Sequence, residues 1–172
     1  GGSCFPKDTK AISNTADRFK INLSVIKSVI KSNENRSLLL LKRVFSLFKG
    51  NVRNKKICFL GVTFKANTDD MRDSSCLSMI PSLIRKGAKI NYYDPTGKKD
   101  IFKKFKNVNF SENIKSAIKN SDMIIIHTEW NDFKSINFKK EVKNKNFILF
   151  DMRNIYSSTK MKSQKIKYFG IG

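Results

Sequence analysis

The chain has 172 residues, with 35 Lys and Arg against 14 Asp and Glu, a formal net charge of +21. That length suits one ordinary domain, or one domain with an attached helical piece, and 14 Phe supply material for a folded core. No apolar run approaches the roughly 18 residues of a membrane span. A basic excess attracts polyanions, but no helix-turn-helix, zinc-finger or aromatic RNA-binding signature accompanies it, and the lysines are scattered along the whole sequence. The charge therefore reads as solvated lysine faces, partly available to a phosphate-bearing small ligand, and neither nucleic acid nor membrane is expected as a partner.

The first eight residues, GGSCFPKD, put Cys4 on a glycine-softened loop just ahead of a helix start, with Pro6 suited to a first helical turn. The positive end of a helix and the neighbouring Lys7 both favour a thiolate. The stretch fits either a nucleophile or a small buried thiol. The other cysteines, Cys58 in an apolar strand and Cys76 in a helical stretch, read as core filler. With no CxxC and no nearby histidine, neither a metal site nor a disulfide framework is expected. His127, the only histidine, ends an apolar strand and attracts little functional weight.

Residues to about 50 read as helical. Ile12, Ala16, Phe19, Leu23, Ile26 and Ile30 recur at steps of four and three, and Leu38, Leu41, Phe45 and Phe48 resume the stripe. One continuous rod competes with a break near Ile21–Asn22, where Asn22 caps a fresh helix. Such a stripe packs against something, either missing sequence or a second subunit. Gly50-Asn51 stops the helix.

Beyond it, short apolar runs alternate with helical patterns. Strands are predicted at 57–62, 89–93, 108–110, 123–127, 147–151 and 166–169. A helix is predicted over 74–86, bent or broken by Pro81 and stopped by Gly87, and another opens at Ser111-Glu112. The alternation predicts an α/β, Rossmann-like doubly wound parallel sheet preceded by a helical segment, with the division at 1–50 and 51–172. Ligands bind such sheets beyond the carboxyl ends of the strands. Lys65, Arg72 and Arg153 follow strand ends and can converge on one anion, since arginine forks suit phosphate oxygens and lysine supplies a compact charge. The first strand is not followed by GxGxxG, so this sheet is a poor candidate for holding NAD by itself.

GGSCFPKD, LGVTFKANTDDMRDSS, YYDP, TEW and FDMRN, in this order and spacing, resemble the UDP-glucose 6-dehydrogenases within a wider family that includes GDP-mannose and UDP-N-acetyl sugar dehydrogenases. The phenylalanine in SCFPKD favours the UDP-glucose branch. The resemblance implies oxidation of the sugar's C6 alcohol to a carboxylate with two NAD in succession. In such enzymes the cysteine matching Cys4 captures the intermediate aldehyde as a thiohemiacetal, and a thioester is then hydrolysed. The residue matching Asp8 positions or activates water, or serves as an N-cap, or both. By the same matching, Gly1, Phe5, Lys65 and Arg153 contact the sugar nucleotide, and Lys7 and Arg72 contact NAD.

The resemblance also implies a cytoplasmic protein that dimerises through its central helix at full length. A start at Gly inside a motif suggests a fragment of something longer; the resemblance implies a carboxy-terminal piece lacking the family's amino-terminal NAD domain, and such a piece is expected to be inactive alone. Two alternatives stand beside this reading: a UDP-sugar-binding module without chemistry, and a piece of a GDP-mannose or other nucleotide-sugar dehydrogenase.

Overall fold

The structure is a computed structural model and describes residues 4–171, with the side chain of Cys4 outside the description. The chain divides into two compact units, Gly1–Asn51 and Val52–Gly172.

The first unit is a helical pair, α1 (Cys4–Arg18) and α2 (Ser24–Leu47). The chain breaks between them, so the continuous rod is not formed. Leu23, not Asn22, occupies the N-cap of α2, and no side chain caps it. Ion pairs tie the helices together, Lys27 Nζ to Asp17 Oδ1 at 2.6 Å and Lys10 Nζ to Glu34 Oε1 at 2.8 Å. Gly50 ends the helical unit with φ +85° and donates its N–H to Phe45 O, as a C-terminal glycine does. Part of the apolar stripe is exposed in this chain: Ile12, Phe19 (73%) and Leu38 face solvent, whereas Leu23, Ile26, Ile30, Leu41, Phe45 and Phe48 are half-buried and Ala16 is buried.

The second unit is a six-stranded, all-parallel sheet of order β3-β2-β1-β4-β5-β6. Its strands are β1 (Lys56–Leu60), β2 (Lys89–Tyr93), β3 (Val108–Phe110), β4 (Met123–Ile126), β5 (Ile148–Asp151) and β6 (Lys167–Gly170). The helices α3 (Cys76–Arg85), α4 (Ile114–Ile118), α5 (Phe138–Glu141) and α6 (Ser158–Ser163) connect them. Apolar residues run unbroken through β1 and β4 because both faces of a central parallel strand are covered. Cys58, Leu60, Ile124, Ile126 and Leu149 join Ala117, Phe133, Phe138 and Met161 in one core, and Ile57 and Phe59, at the alternate positions of β1, are equally buried.

Several boundaries differ from the sequence expectation for identifiable reasons. β1 stops at Leu60, not Val62, because Gly61 turns the backbone at φ +76°. Pro81 lies inside α3 without breaking it. This is a ten-residue helix held by its buried residues Cys76, Met79, Ile80 and Leu83, so packing outweighs a cost of about 3 kcal/mol. The helix expected at Ser111 begins at Ile114, where the Asn113 side chain accepts from Ser116 N. Asp8, the expected N-cap, is the fifth residue of α1, past any capping position.

Candidate functional site

Strand order reverses between β1 and β4, the place where a doubly wound sheet opens a crevice at its carboxyl edge. Register brings Leu60 beside Tyr93 and Ile126, and Ile126 beside Asp151. The next residues, Gly61, Asp94 and His127, therefore start the loops of that edge.

The turn after β1 is fastened from all sides. A Cβ on Gly61 would stand 2.4 Å from Thr128 Cβ, so only glycine admits this approach. Gly61 N donates to Tyr93 O, Val62 N and Thr63 N to Asp94 Oδ2, and Phe64 N to Asp70 O. The Ser74 hydroxyl donates to Val62 O at 2.6 Å, and Thr128 Oγ1 donates to Thr63 O at 2.8 Å. Because that donation uses the only proton of the Thr128 hydroxyl, Thr128 accepts from His127 Nδ1 at 3.2 Å, and His127 Nε2 accepts from Ser75 Oγ at 2.8 Å. Burial keeps the imidazole neutral, and it joins the start of α3 to the end of β4. Burial, and secondarily the Arg153 charge, push its pKa down to about 3.

Arg153 follows β5 and reaches across this edge. Its Nε donates to His127 O at 2.7 Å and its Nη2 to Phe64 O at 2.9 Å, which seats the guanidinium between the loops that follow β1 and β4. Its backbone N donates to Asp151 Oδ1, a buried carboxylate whose Oδ2 also accepts from Tyr156 N and the Tyr168 hydroxyl. Burial and the Asp151 charge raise Tyr168 to about 12, so the phenol stays a donor. Glu129 Oε2 lies 3.0 Å from Arg153 Nε, but that N–H aims at the His127 carbonyl. Among the described residues Glu129 Oε2 has this ion pair but no hydrogen bond, and Trp130 Nε1 is buried without a hydrogen-bond partner.

Lys65 is exposed on the same loop as Phe64, one residue beyond the carbonyl that Arg153 holds. Arg72 is exposed too, and forks onto Asp70, with Nε 3.0 Å from Oδ1 and Nη2 2.9 Å from Oδ2. Hydrogen bonds from Arg72 hold the Asp70 carboxyl below the usual range. Arg153 and the Lys65 loop therefore meet at the crevice, whereas the Arg72 guanidinium engages a carboxylate on its own loop. Of the residues expected in the first unit, Phe5, Lys7 and Asp8 are exposed on the first turns of α1. Gly1 and the side chain of Cys4 lie outside the described residues. Cys58 and Cys76 are fully buried, and burial pushes both thiols up. A separate cleft of about 520 Å³ sits at the β2–β3 edge, lined by Tyr92, Lys99, Phe102 and Phe110, away from Arg153.

Sequence reasoning gave no role to Asp94, Ser75, His127 or Thr128. Their common signal is position: each stands at, or shortly after, a strand end, or at the start of the helix following one.

A parallel sheet with a cationic, fastened crevice at its switch point defines a doubly wound ligand-binding domain. Residues 58–158 match the model of the UDP-glucose/GDP-mannose dehydrogenase family, UDP binding domain, and residues 1–35 match its central domain. The chain belongs to the UDP-glucose/GDP-mannose dehydrogenase family. It is 36% identical over 176 residues to a UDP-glucose 6-dehydrogenase of Rickettsia prowazekii, and 35% identical over 173 residues to one of Rhizobium meliloti. All of this chain is covered in both cases, but it spans only 40% of either relative. Among solved structures it resembles a UDP-glucose dehydrogenase from Pyrobaculum islandicum, with a TM-score of 0.80 at 23% identity, covering 100% of this chain and 37% of the other. It also resembles a UDP-D-ManNAc dehydrogenase from Pyrococcus horikoshii, with a TM-score of 0.75 at 25% identity, covering 99% and 38%.

Proposed function

We propose that this chain supplies the UDP-sugar-binding sheet and the thiol-bearing segment of a UDP-glucose 6-dehydrogenase, which converts UDP-glucose to UDP-glucuronate. The observation that carries the proposal is Arg153 at the switch point. Two of its five donors fix it to the His127 and Phe64 carbonyls, leaving the rest of a charged fork at the place where such sheets take ligands. Trp130 Nε1, buried without a hydrogen-bond partner among the described residues, supports it, because buried polar atoms without partners mark places that a ligand or water completes.

In this reading Arg153 and Lys65 hold the diphosphate, and the family resemblance assigns contacts with the sugar nucleotide to Gly1 and Phe5. The Cys4 thiolate adds to the C6 aldehyde as a thiohemiacetal, which retains a reactive intermediate on the protein, and loss of a hydride and a proton from that thiohemiacetal leaves a thioester. Asp8 positions the water that hydrolyses the thioester and frees the thiol, and the family resemblance assigns cofactor contacts to Lys7 and Arg72. Oxidation requires a hydride acceptor, the part played by NAD in dehydrogenases of this kind. The sheet does not fit a dinucleotide, since the turn after β1 lacks GxGxxG and its four amides from Gly61 to Phe64 donate within the protein. NAD is therefore assigned to sequence beyond these 172 residues, which alone bind UDP-glucose without turning it over. The exposed stripe of the helical unit suits a homodimer, and the enzyme is assigned to the cytoplasm. No described helix is long and apolar enough to cross a membrane.

Calorimetric titration of the 172-residue chain with UDP-glucose, beside an NADH absorbance assay, tests this. Saturable binding that UDP competes away, without NADH formation, is the expected result. Binding of random-sequence DNA that UDP does not displace would point instead to a polyanion-binding protein.

A further inference from the structure

Asp94, of the YYDP segment, has no part in the reading above. It is 1% exposed and stands at the end of β2, beside the turn that follows β1. In dinucleotide-binding sheets the amides of that turn face a pyrophosphate. Here Asp94 Oδ2 accepts from Val62 N at 2.8 Å and Thr63 N at 3.3 Å, and the Thr63 hydroxyl lies 3.4 Å away. Asp94 Oδ1 accepts from Thr96 N at 3.0 Å and Thr96 Oγ1 at 2.6 Å. The same Thr96 oxygen accepts from Lys99 Nζ at 2.6 Å, which places a cation one hydroxyl away from the carboxylate. The flanking amides, Gly61 N and Phe64 N, are taken by Tyr93 O and Asp70 O.

We propose that Asp94 is a specificity-determining residue, an internal anion seated in the amide cradle where a ligand phosphate would otherwise bind. A phosphate brought to the same amides would meet a carboxylate at close range with little water between them, which is strongly repulsive. Backbone grip is closed to it. A diphosphate at this edge is held by side chains instead, which is what separates this sheet from a dinucleotide sheet of the same strand order. The statement about diphosphate rests on the function proposed above; the statement about the amides does not. Removing the carboxylate vacates two converging N–H groups next to Lys99 and Thr96, and so creates a phosphate site.

The test compares the wild-type chain with Asp94→Ala at constant ionic strength, titrating inorganic phosphate and following backbone amides by ¹⁵N NMR. Asp94→Ala is expected to bind phosphate about tenfold or more tightly than wild type, with the Val62 and Thr63 amides shifting on addition. Equal phosphate affinity in the two proteins would overturn the proposal, as a role confined to bracing the loop costs stability and creates no site. Should Asp94→Ala not fold, the wild type decides: phosphate is expected to leave the Val62 and Thr63 amides unmoved, and saturable shifts at both would overturn it. A phosphate gain in Asp94→Ala without UDP-glucose binding by the wild type supports Asp94 as the internal anion while overturning the proposed substrate.

Discussion

Arg153 Nε sits 2.7 Å from the main-chain oxygen of His127, twenty-six residues earlier in the sequence, and ties the loop after β5 to the end of β4. The same guanidinium reaches Phe64 O, 89 residues away, so one side chain spans three of the four loops at the crevice. Whatever disturbs it loosens the edge where the candidate ligand binds.

Substituting Arg153 tests both duties at once. Arg153→Ala strands the His127 and Phe64 carbonyls and the Glu129 carboxylate, and is expected to cost roughly 2–4 kcal/mol of stability. Arg153→Lys keeps the charge but cannot span two carbonyls while presenting a fork. Both variants are expected to lose about tenfold or more in UDP-glucose affinity by titration calorimetry, with stability read by urea unfolding. Wild-type affinity in Arg153→Lys would show that a point charge suffices.

Gly61→Ala is expected to destabilise the sheet unit by roughly 2–5 kcal/mol, from an added contact at 2.4 Å and a left-handed backbone. Thr128→Ala should not relieve it, because the atom in the way is the Thr128 Cβ itself. Thr128→Gly in the same background should recover part of the loss, leaving the backbone strain. Denaturant midpoints of the three proteins check this ordering.

His127 binds its proton far more weakly folded, near pH 3, than unfolded, near pH 6.5. Between those values the unfolded chain holds more protons, so the contribution is complete above about pH 6.5 and shrinks as pH falls towards 3. The part due to His127 amounts to about 2 kcal/mol lost between pH 7 and pH 5. His127→Gln is expected to be less stable at pH 7 but to show a flatter profile over this window. Urea unfolding at both pH values decides; parallel profiles would remove His127 from the acid limb.

Thiol labelling separates the three cysteines. Cys58 and Cys76 are sealed in the core with raised pKa values and should react with iodoacetamide only after unfolding. Labelling of the native chain is expected at Cys4 alone, at a rate that persists below pH 7, as measured by mass spectrometry of peptides. Loss of reactivity in step with an ordinary thiol pKa of about 8.5 would argue against an activated nucleophile.

The parallel sheet was legible because buried central strands leave plain apolar runs such as ICFL and MIII, spaced by helical stretches. Strand ends were harder to read. Gly61 looks apolar enough to extend β1, and only its approach to Thr128 shows why the chain turns there. Arg153 and Lys65 stood out as cations after strands, whereas Arg72 gave no hint of its fork onto Asp70, two residues away. The bracing residues were illegible for a physical reason. The contacts by which Asp94, Ser75, His127 and Thr128 join separate loops reach partners 31 to 65 residues distant, and no local pattern encodes such pairs.

β1 sits in the middle of the sheet, but its partner β4 is made some sixty residues after it, the Lys56 amide waiting for the Asp122 carboxylate 66 positions downstream. During synthesis the first three strands emerge with one flank of β1 bare, offering Ile57 and Phe59 to any neighbouring extended chain until Met123–Ile126 arrives. Yield of soluble protein from shortened genes should therefore fall abruptly when the end point moves upstream of Ile126.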